Sequence, residues 1–233
     1  MTTRPEDTRF AGNPGGPAAG RRSKIRPIRN GPLLSQALDP QGVGGLVTSS
    51  GESLCDGRGP VSLCRCGASA AKPFCDGSHS EAGFDSTNTC DGRLDHRIDY
   101  VGKRITIHYN HGACARTERC VAGLPDVFDH DRRPWIDPDA APAEEIIAVI
   151  ERCPSGALSY TVAGEEHRDL ERPPRVVVLE NGPYCLEGWI EVEDTVRGAG
   201  VSEEHCTLCR CGAAENKPVC DGSHRKIGFR AGS

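Results

Sequence analysis

The residues best equipped to do chemistry in this chain are its cysteines, joined by two histidines in a repeated arrangement. Leu63 to Phe84 reads LCRCGASAAKPFCDGSHSEAGF and Leu208 to Phe229 reads LCRCGAAENKPVCDGSHRKIGF, aligned without gaps at an offset of 145 with 15 of 22 positions identical. The potential ligands are Cys64, Cys66, Cys75 and His79 in the first copy, and Cys209, Cys211, Cys220 and His224 in the second. Cys75 and His79 are four residues apart, a spacing that predicts one helical turn with both side chains on the same face; Cys220 and His224 repeat it. Asp76 and Asp221 would then sit in the first turn, where the helix dipole favours an anion, and Gly77 and Gly222 would keep the backbone close to whatever is bound. Structural zinc sites generally separate paired cysteines by about two to four residues, whereas two thiolates one residue apart fit more easily on one iron of a cluster. Three Cys and one His are also a zinc set, so donor chemistry alone leaves iron-sulfur and structural zinc both open. Four residues repeated at fixed spacing argue against unliganded core cysteines.

A second constellation lies between the copies. Cys114 and Cys120 are followed by Cys153-Pro154, and the usual Cys-x2-Cys-x2-Cys run of a bacterial ferredoxin has its central position filled by Thr117. Three cysteines could hold a [3Fe-4S] cluster outright, or a [4Fe-4S] cluster whose fourth iron takes His111, Thr117 or water. A ferredoxin-like fold that has lost its cluster is the bland alternative, because a fold does not guarantee its site. Cys55, Cys90, Cys185 and Cys206 are left over as bystanders, with Cys185 a small buried hydrophobe in an apolar strand. His96, His108, His130, His167 and His205 have no partner pattern and default to surface or packing roles.

These ligands must be positioned by short elements. Arg175–Glu180 and Trp189–Glu193 are rich in β-branched and alternating apolar residues, predicting strands joined by an Asn181-Gly182-Pro183 turn. Gly31-Pro32-Leu33 is the first copy's counterpart of Gly182-Pro183-Tyr184, and the first copy carries a loop insertion expected near Gln41 to Gly45. In the middle, Ile98–Val101 and Arg104–Tyr109 flank Gly102-Lys103, which predicts a two-residue hairpin. Pro142–Arg152 reads as a helix with Ile146, Ile147, Val149 and Ile150 on one stripe. The fold class expected is α+β, with two small β-rich units flanking a small α+β unit. Residues 1–24 are polar, rich in Gly and Pro, and expected to be disordered.

Resemblance narrows the chemistry. Cys64 to His79 and Cys209 to His224 resemble the CDGSH iron-sulfur (mitoNEET-type) family, whose pattern is Cys-x-Cys-x2-Ser/Thr-x3-Pro-x-Cys-Asp-Gly-Ser-His. The first copy matches throughout, with Ser69 and Pro73 in place; the second has Pro218 but Ala214 at the Ser/Thr position. That departure removes a hydroxyl near the cluster and not a ligand. The resemblance implies that Cys64 and Cys66 hold one iron of a [2Fe-2S] cluster and Cys75 and His79 the other, with Cys209, Cys211, Cys220 and His224 doing the same in the second unit. A neutral His in place of a thiolate removes one negative charge from the cluster. The potential should therefore lie between the plant-type value near roughly -400 mV and the Rieske range. Tyr100 to Tyr160 resembles the divergent 4Fe-4S mono-cluster domain, through Pro134-Trp135-Ile136, Pro138-Asp139 and Cys153-Pro154-Ser155-Gly156-Ala157-Leu158. The organisation implied is a CDGSH domain over 25–86, a ferredoxin-like domain over 87–165 and a second CDGSH domain over 166–233. Single-motif members of the family pair as dimers, so the two copies are expected to pack against each other within the chain.

Composition agrees with small units organised around metal. The chain has 233 residues, a net charge of -5, 36% hydrophobic residues, 28 Gly, 17 Pro and 13 Cys. An odd cysteine count cannot all pair as disulfides, and the N-terminus offers no apolar signal-peptide run, so a cytoplasmic location is expected. The longest apolar runs, Val176–Leu179 and Ile146–Ile150, are far below the roughly 18 residues of a membrane helix. Arg and Lys form no basic stripe, which counts against nucleic acid as a partner. With no nucleophile-base pair and no nucleotide motif, enzyme activity is not expected. Electron transfer to a redox partner protein is the leading function. Cluster transfer to an apoprotein, or redox or iron sensing, is the main alternative, and a structural zinc-binding interaction module is a third.

Overall fold

A computed structural model of the protein describes residues 23–36, 45–55 and 59–232. Residues 1–22 of the expected disordered segment, and 41–44 of the expected insertion, lie outside the described residues. Lys24, at the end of that segment, already opens the first strand.

The first copy supplies β1 (Lys24–Pro27), β2 (Leu33–Gln36), β3 (Leu46–Thr48) and β4 (Val61–Leu63). The middle unit supplies β5 (Arg97–Val101), β6 (Thr106–Asn110), α1 (Arg119–Gly123), α2 (Ala143–Ile150), β7 (Leu158–Val162) and β8 (Glu165–His167). The second copy supplies β9 (Arg175–Val178), β10 (Tyr184–Glu187), β11 (Glu191–Val192), β12 (Cys206–Leu208) and α3 (Ser223–Lys226). Strands thus outnumber helices, and every helix is short, as expected of an α+β chain with many turns.

The two copies exchange strands. One sheet runs β11-β1-β2-β4 and the other β12-β10-β9-β3, so the third strand of each copy lies parallel to the first strand of the other. Leu46, Val47 and Thr48 pair with Val176, Val177 and Val178, while Lys24 and Ile25 pair with Glu191 and Val192. Neither four-stranded sheet is complete without the other copy. The inward residues of both, among them Ile25, Leu33, Leu46, Leu63, Val176, Tyr184, Leu186 and Leu208, form one shared apolar core. A strand of three or four residues buries too little on its own, so pooling two thin cores into one is the stable arrangement.

The turn at Asn181-Gly182 joins β9 to β10, and not to the Trp189–Glu193 segment, of which only Glu191–Val192 is a strand. Pairing of Tyr184 with Val178 and Leu186 with Val176 fixes that register, because both partners send apolar side chains into the shared core. Asn181 takes φ 53°, the left-handed conformation that asparagine tolerates in tight turns.

The middle sheet is antiparallel in the order β5-β6-β7-β8, and it packs against α2 through Ile146, Val149 and Ile150. The hairpin exists, but its turn falls at Lys103-Arg104, one residue later than expected: Gly102 N–H donates to the Ile105 carbonyl at 3.0 Å. Gly102 instead lets the chain pass Pro138, whose Cβ would stand 2.6 Å from an added methyl. Among the described residues no helix is long and apolar enough to cross a membrane.

Candidate metal centres

β4 and β12 each deliver their first cysteine directly from the strand end, Leu63 to Cys64 and Leu208 to Cys209. The loop that follows is tied back by Cys64 N–H to the Pro73 carbonyl and Cys75 N–H to the Ser62 carbonyl, both 2.8 Å, with Cys209 to Pro218 and Cys220 to Thr207 as the equivalents. The ligands expected from the sequence come together in matching pairs. Cys64 and Cys66 Sγ are 3.6 Å apart and Cys209 and Cys211 3.7 Å; Cys75 Sγ lies 3.4 Å from His79 Nδ1, and Cys220 Sγ 3.5 Å from His224 Nδ1. Two thiolates on one tetrahedral metal at about 2.3 Å stand about 3.7 Å apart, so each pair is spaced to share one ion. Among the described residues no three Cys, His, Asp or Glu side chains gather as a single-ion site, so the donors are grouped by twos.

The single helical turn expected to carry Cys and His is not what aligns them. Cys75 and Cys220 precede the turn, and only His224 falls in a helix, α3. The alignment comes from the Asp-Gly step between them. Asp76 accepts from Ala70 N–H at 2.7 Å and Ser78 N–H at 3.1 Å, and Asp221 accepts from Glu215 N–H at 2.8 Å and Ser223 N–H at 2.9 Å. Gly77 and Gly222, at φ 93° and 85°, then reverse the chain so that the histidine folds back toward the cysteine. Hydrogen bonds to Ser78 and Ala70 hold the Asp76 carboxyl well below its ordinary value, so it stays an acceptor across the physiological range. Ser69, absent in the second copy, braces the loop by donating to the Phe74 carbonyl at 2.7 Å and accepting from Ala71 N–H.

Two features between the copies carried no chemical signal in the sequence. Gly67 and Gly212 sit at the contact of the two ligand loops: a Cβ on Gly67 would lie 2.6 Å from the Cys211 carbonyl oxygen, and one on Gly212 2.5 Å from that of Cys66. The Tyr184 hydroxyl lies 2.7 Å from the Cys64 carbonyl and 2.9 Å from that of Pro73, a link from the second copy into the first copy's ligand loop. Arg65 and Arg210, each between its copy's paired cysteines, point inward and donate to Gly31 and Leu179 carbonyls at 2.8 and 2.9 Å. They clamp the ligand loop to the turn before the second strand of the copy.

Surroundings differ between the copies. Cys209, Cys211, Cys220, Gly222 and His224 are all buried, whereas Cys66, Cys75 and His79 are half-buried and Gly77 is exposed. The middle unit makes the difference. A Cβ on Gly222 would strike Arg116 Cδ at 2.4 Å, while nothing lies within 4 Å of one on Gly77. Asn216 donates to the Gly112 carbonyl at 3.2 Å, and Arg225 pairs with Glu118 at 2.9 Å. Burial pushes the Cys220 thiol far up and the His224 imidazole down. The hydrogen bond between Cys209 and Cys211 lowers the first thiol and raises the second. The raised thiols, Cys211 and Cys220, would give up their protons to a metal, which replaces the proton as the neutralising charge.

In the middle unit Cys120 lies in α1, Cys114 precedes it, and Cys153 follows α2 with its N–H bonded to the Ile150 carbonyl at 2.8 Å. The three thiols feel one another. Burial and then Cys153 and Cys114 push Cys120 up to about 12, and burial and Cys153 raise Cys114. His111, considered as a fourth ligand, has Nε2 accepting from Arg116 at 3.0 Å and Nδ1 3.5 Å from the Tyr109 hydroxyl. Thr117 lies in a different hollow from Cys114 and Cys120. Arg116 and Glu118 take φ 52° and 57°, so the short loop between the cysteines is bent where a third cysteine would be.

Comparison with known proteins assigns the two constellations. The family described as iron-binding zinc finger CDGSH type matches residues 30–80 and 181–225, and the family described as divergent 4Fe-4S mono-cluster matches residues 100–163. Two stretches of the chain are thus CDGSH-type domains. Its two CDGSH copies flank a divergent 4Fe-4S mono-cluster domain. The chain is also similar to the uncharacterized protein YjdI of Escherichia coli (strain K12), 39% identical over 61 residues, which are 26% of this chain and 80% of that protein. The YjdI of Escherichia coli O157:H7 matches to the same extent. No solved structure matches the chain. All eight CDGSH ligand positions thus fall inside the matched stretches, as do Cys114, Cys120 and Cys153. Of the bystander cysteines, Cys185 and Cys206 are buried in β10 and β12, Cys90 is exposed and Cys55 is half-buried.

Proposed function

We propose that this protein is an electron carrier with two [2Fe-2S] clusters and one [4Fe-4S] or [3Fe-4S] cluster in the middle domain. The observation that carries this reading is the duplicated set of donor pairs at 3.4 to 3.7 Å. Cys64 with Cys66, and Cys75 with His79, would each hold one iron; Cys209 with Cys211, and Cys220 with His224, would do so in the second copy. Cys114, Cys120 and Cys153 would hold the third cluster. Such clusters, when bound, supply reversible one-electron exchange at a mild potential.

The chain's own residues supply position and insulation. Gly67 and Gly212 let the two CDGSH loops touch backbone to backbone, and Arg116 seats the middle unit's cysteine loop on Gly222. The three ligand loops therefore form an unbroken series of contacts, middle unit to second copy to first copy, as a carrier with several centres requires. The fold read with this function is two β-rich CDGSH units around an α+β ferredoxin-like unit, over 25–86, 87–165 and 166–233. A cytoplasmic location, a protein redox partner and the lack of enzymatic activity belong to the same proposal.

A second reading, cluster donation or sensing, is favoured for the first copy alone, because Cys66, Cys75 and His79 are only half-buried where Cys211, Cys220 and His224 are buried. A structural zinc module fits less well, since a single zinc wants about four donors around one point and these donors stand in pairs. Metal analysis of protein purified without air, with electron paramagnetic resonance before and after reduction, is the test. About seven or eight irons per chain with acid-labile sulfide are expected. Two zincs and no sulfide would overturn the reading.

A further inference from the structure

The two CDGSH copies diverge in charge just past the histidine. His79 is followed by Ser80 and Glu81, with Asp85 after Phe84; His224 is followed by Arg225 and Lys226, with Arg230 after Phe229. Three cations stand where the first copy has a serine and two carboxylates, and all of these positions are exposed. The middle unit adds Arg116, Arg119 and Arg133 to the second copy's side. Two adjoining hollows of about 550 Å³ each share Arg116 and Arg225 as their common ridge. One reaches Cys114 and Cys120 with Arg133 and Lys226 on its wall, and the other reaches His224 with Arg119 and Arg230. The carboxylates facing them are Glu118, paired with Arg225 at 2.9 Å, and Glu180. In a chain of net charge -5, this concentration of cations at the approach to two centres departs from the average. Arg119, Arg133, Arg225, Lys226 and Arg230 are exposed and spread over two domains, a layout that suits a broad anionic surface better than one small anion.

We propose that this face docks an acidic electron-transfer protein, which exchanges electrons with the chain at the middle unit and the second CDGSH copy and not at the first. The proposal rests on the iron-sulfur reading above. In the exchange one electron leaves the reduced metal centre of the partner and converts one ferric iron of this chain to ferrous, with no bond made or broken. Opposite charges raise the rate of encounter by roughly 10- to 1,000-fold, and salt removes that gain because the Debye length is only about 8 Å at 0.15 M.

Stopped-flow reduction of the iron-loaded full chain by a reduced acidic plant-type ferredoxin tests it. Lys226→Glu/Arg230→Glu leaves the Arg225–Glu118 pair intact, and iron per chain and the visible spectrum report that the clusters remain. The expected result is a rate at low salt slowed at least about tenfold, converging with wild type at high salt. Glu81→Lys/Asp85→Lys at the first copy should change the rate by less than about twofold. A fully loaded Lys226→Glu/Arg230→Glu chain reduced at the wild-type rate, equal slowing by both double variants, or competition by citrate at matched ionic strength would overturn the docking surface. Were metal analysis to find zinc, the iron-sulfur reading would fail on its own account. The surface is then judged by calorimetric titration of oxidised ferredoxin onto the same purified chain: salt-dependent binding lost in the double variant keeps it, and no binding removes it.

Discussion

The first and second CDGSH copies present the same ligands at nearly the same spacing, yet they sit in different surroundings. Cys75 and His79 are half-buried beside an exposed Gly77, while Cys220, Gly222 and His224 are buried under the middle unit. The donor set is thus the same in both copies, and the neighbouring domain sets how easily protons, chelators or acceptors reach it. Duplication within one chain allows this division, because strand exchange keeps both copies folded while only one is covered.

The strongest way to break the comparison is to break what the copies share. Gly212→Val would drive a side chain into the Cys66 carbonyl at a residue of φ 83°, a cost of several kcal/mol by overpacking and strain. Iron content of both copies should fall together, with a thermal midpoint many degrees lower; loss from the second copy alone would mean the copies fold independently. Cys75→Ser and Cys220→Ser separate them instead. Transfer of cluster to an apo-ferredoxin should drop about tenfold or more in Cys75→Ser and persist in Cys220→Ser, as followed by the acceptor's absorbance.

Acid sharpens the contrast next. A proton competes with iron for the histidine nitrogen, and burial followed by Arg225 lowers the pKa of His224 below the ordinary imidazole value. Protonating it requires more acid, so the second copy should retain its cluster to lower pH than the less buried first copy. His79→Cys should slow the early phase of loss between pH 5 and 8, and His224→Cys only the late one. A smaller effect is expected of Tyr184→Phe. It takes the hydroxyl from the buried Cys64 carbonyl, while the Pro73 carbonyl keeps the Cys64 N–H, which costs about 1 to 3 kcal/mol and shows as a lower denaturant midpoint at unchanged slope.

Much of this site was legible from the sequence, because metal ligation is local in sequence: the donors lie within 16 residues in each copy and repeat at one offset. The helix over 142–152 and the middle hairpin were legible for a similar reason, since periodicity and turn residues report on neighbours. The strand exchange was not. β3 and β11 are three and two residues long, too short for a period to show, and their partners lie more than a hundred residues away. The covering of Gly222 by Arg116 was equally invisible, because identical CDGSH runs cannot say which of them a third unit will cover. The Cys-to-His alignment failed differently. A four-residue spacing suggested a helical turn, but Asp76 and Asp221 accept backbone N–H groups on either side and cap a bend instead.

Unequal protection of two equal sites is tested most directly by a pH jump of the loaded wild-type chain, with cluster loss followed by visible absorbance. It predicts two CDGSH phases of equal amplitude separated by about tenfold or more in rate, the fast one missing in Cys75→Ser and the slow one missing in Cys220→Ser. A single shared phase, or a fast phase that survives Cys75→Ser, would contradict it.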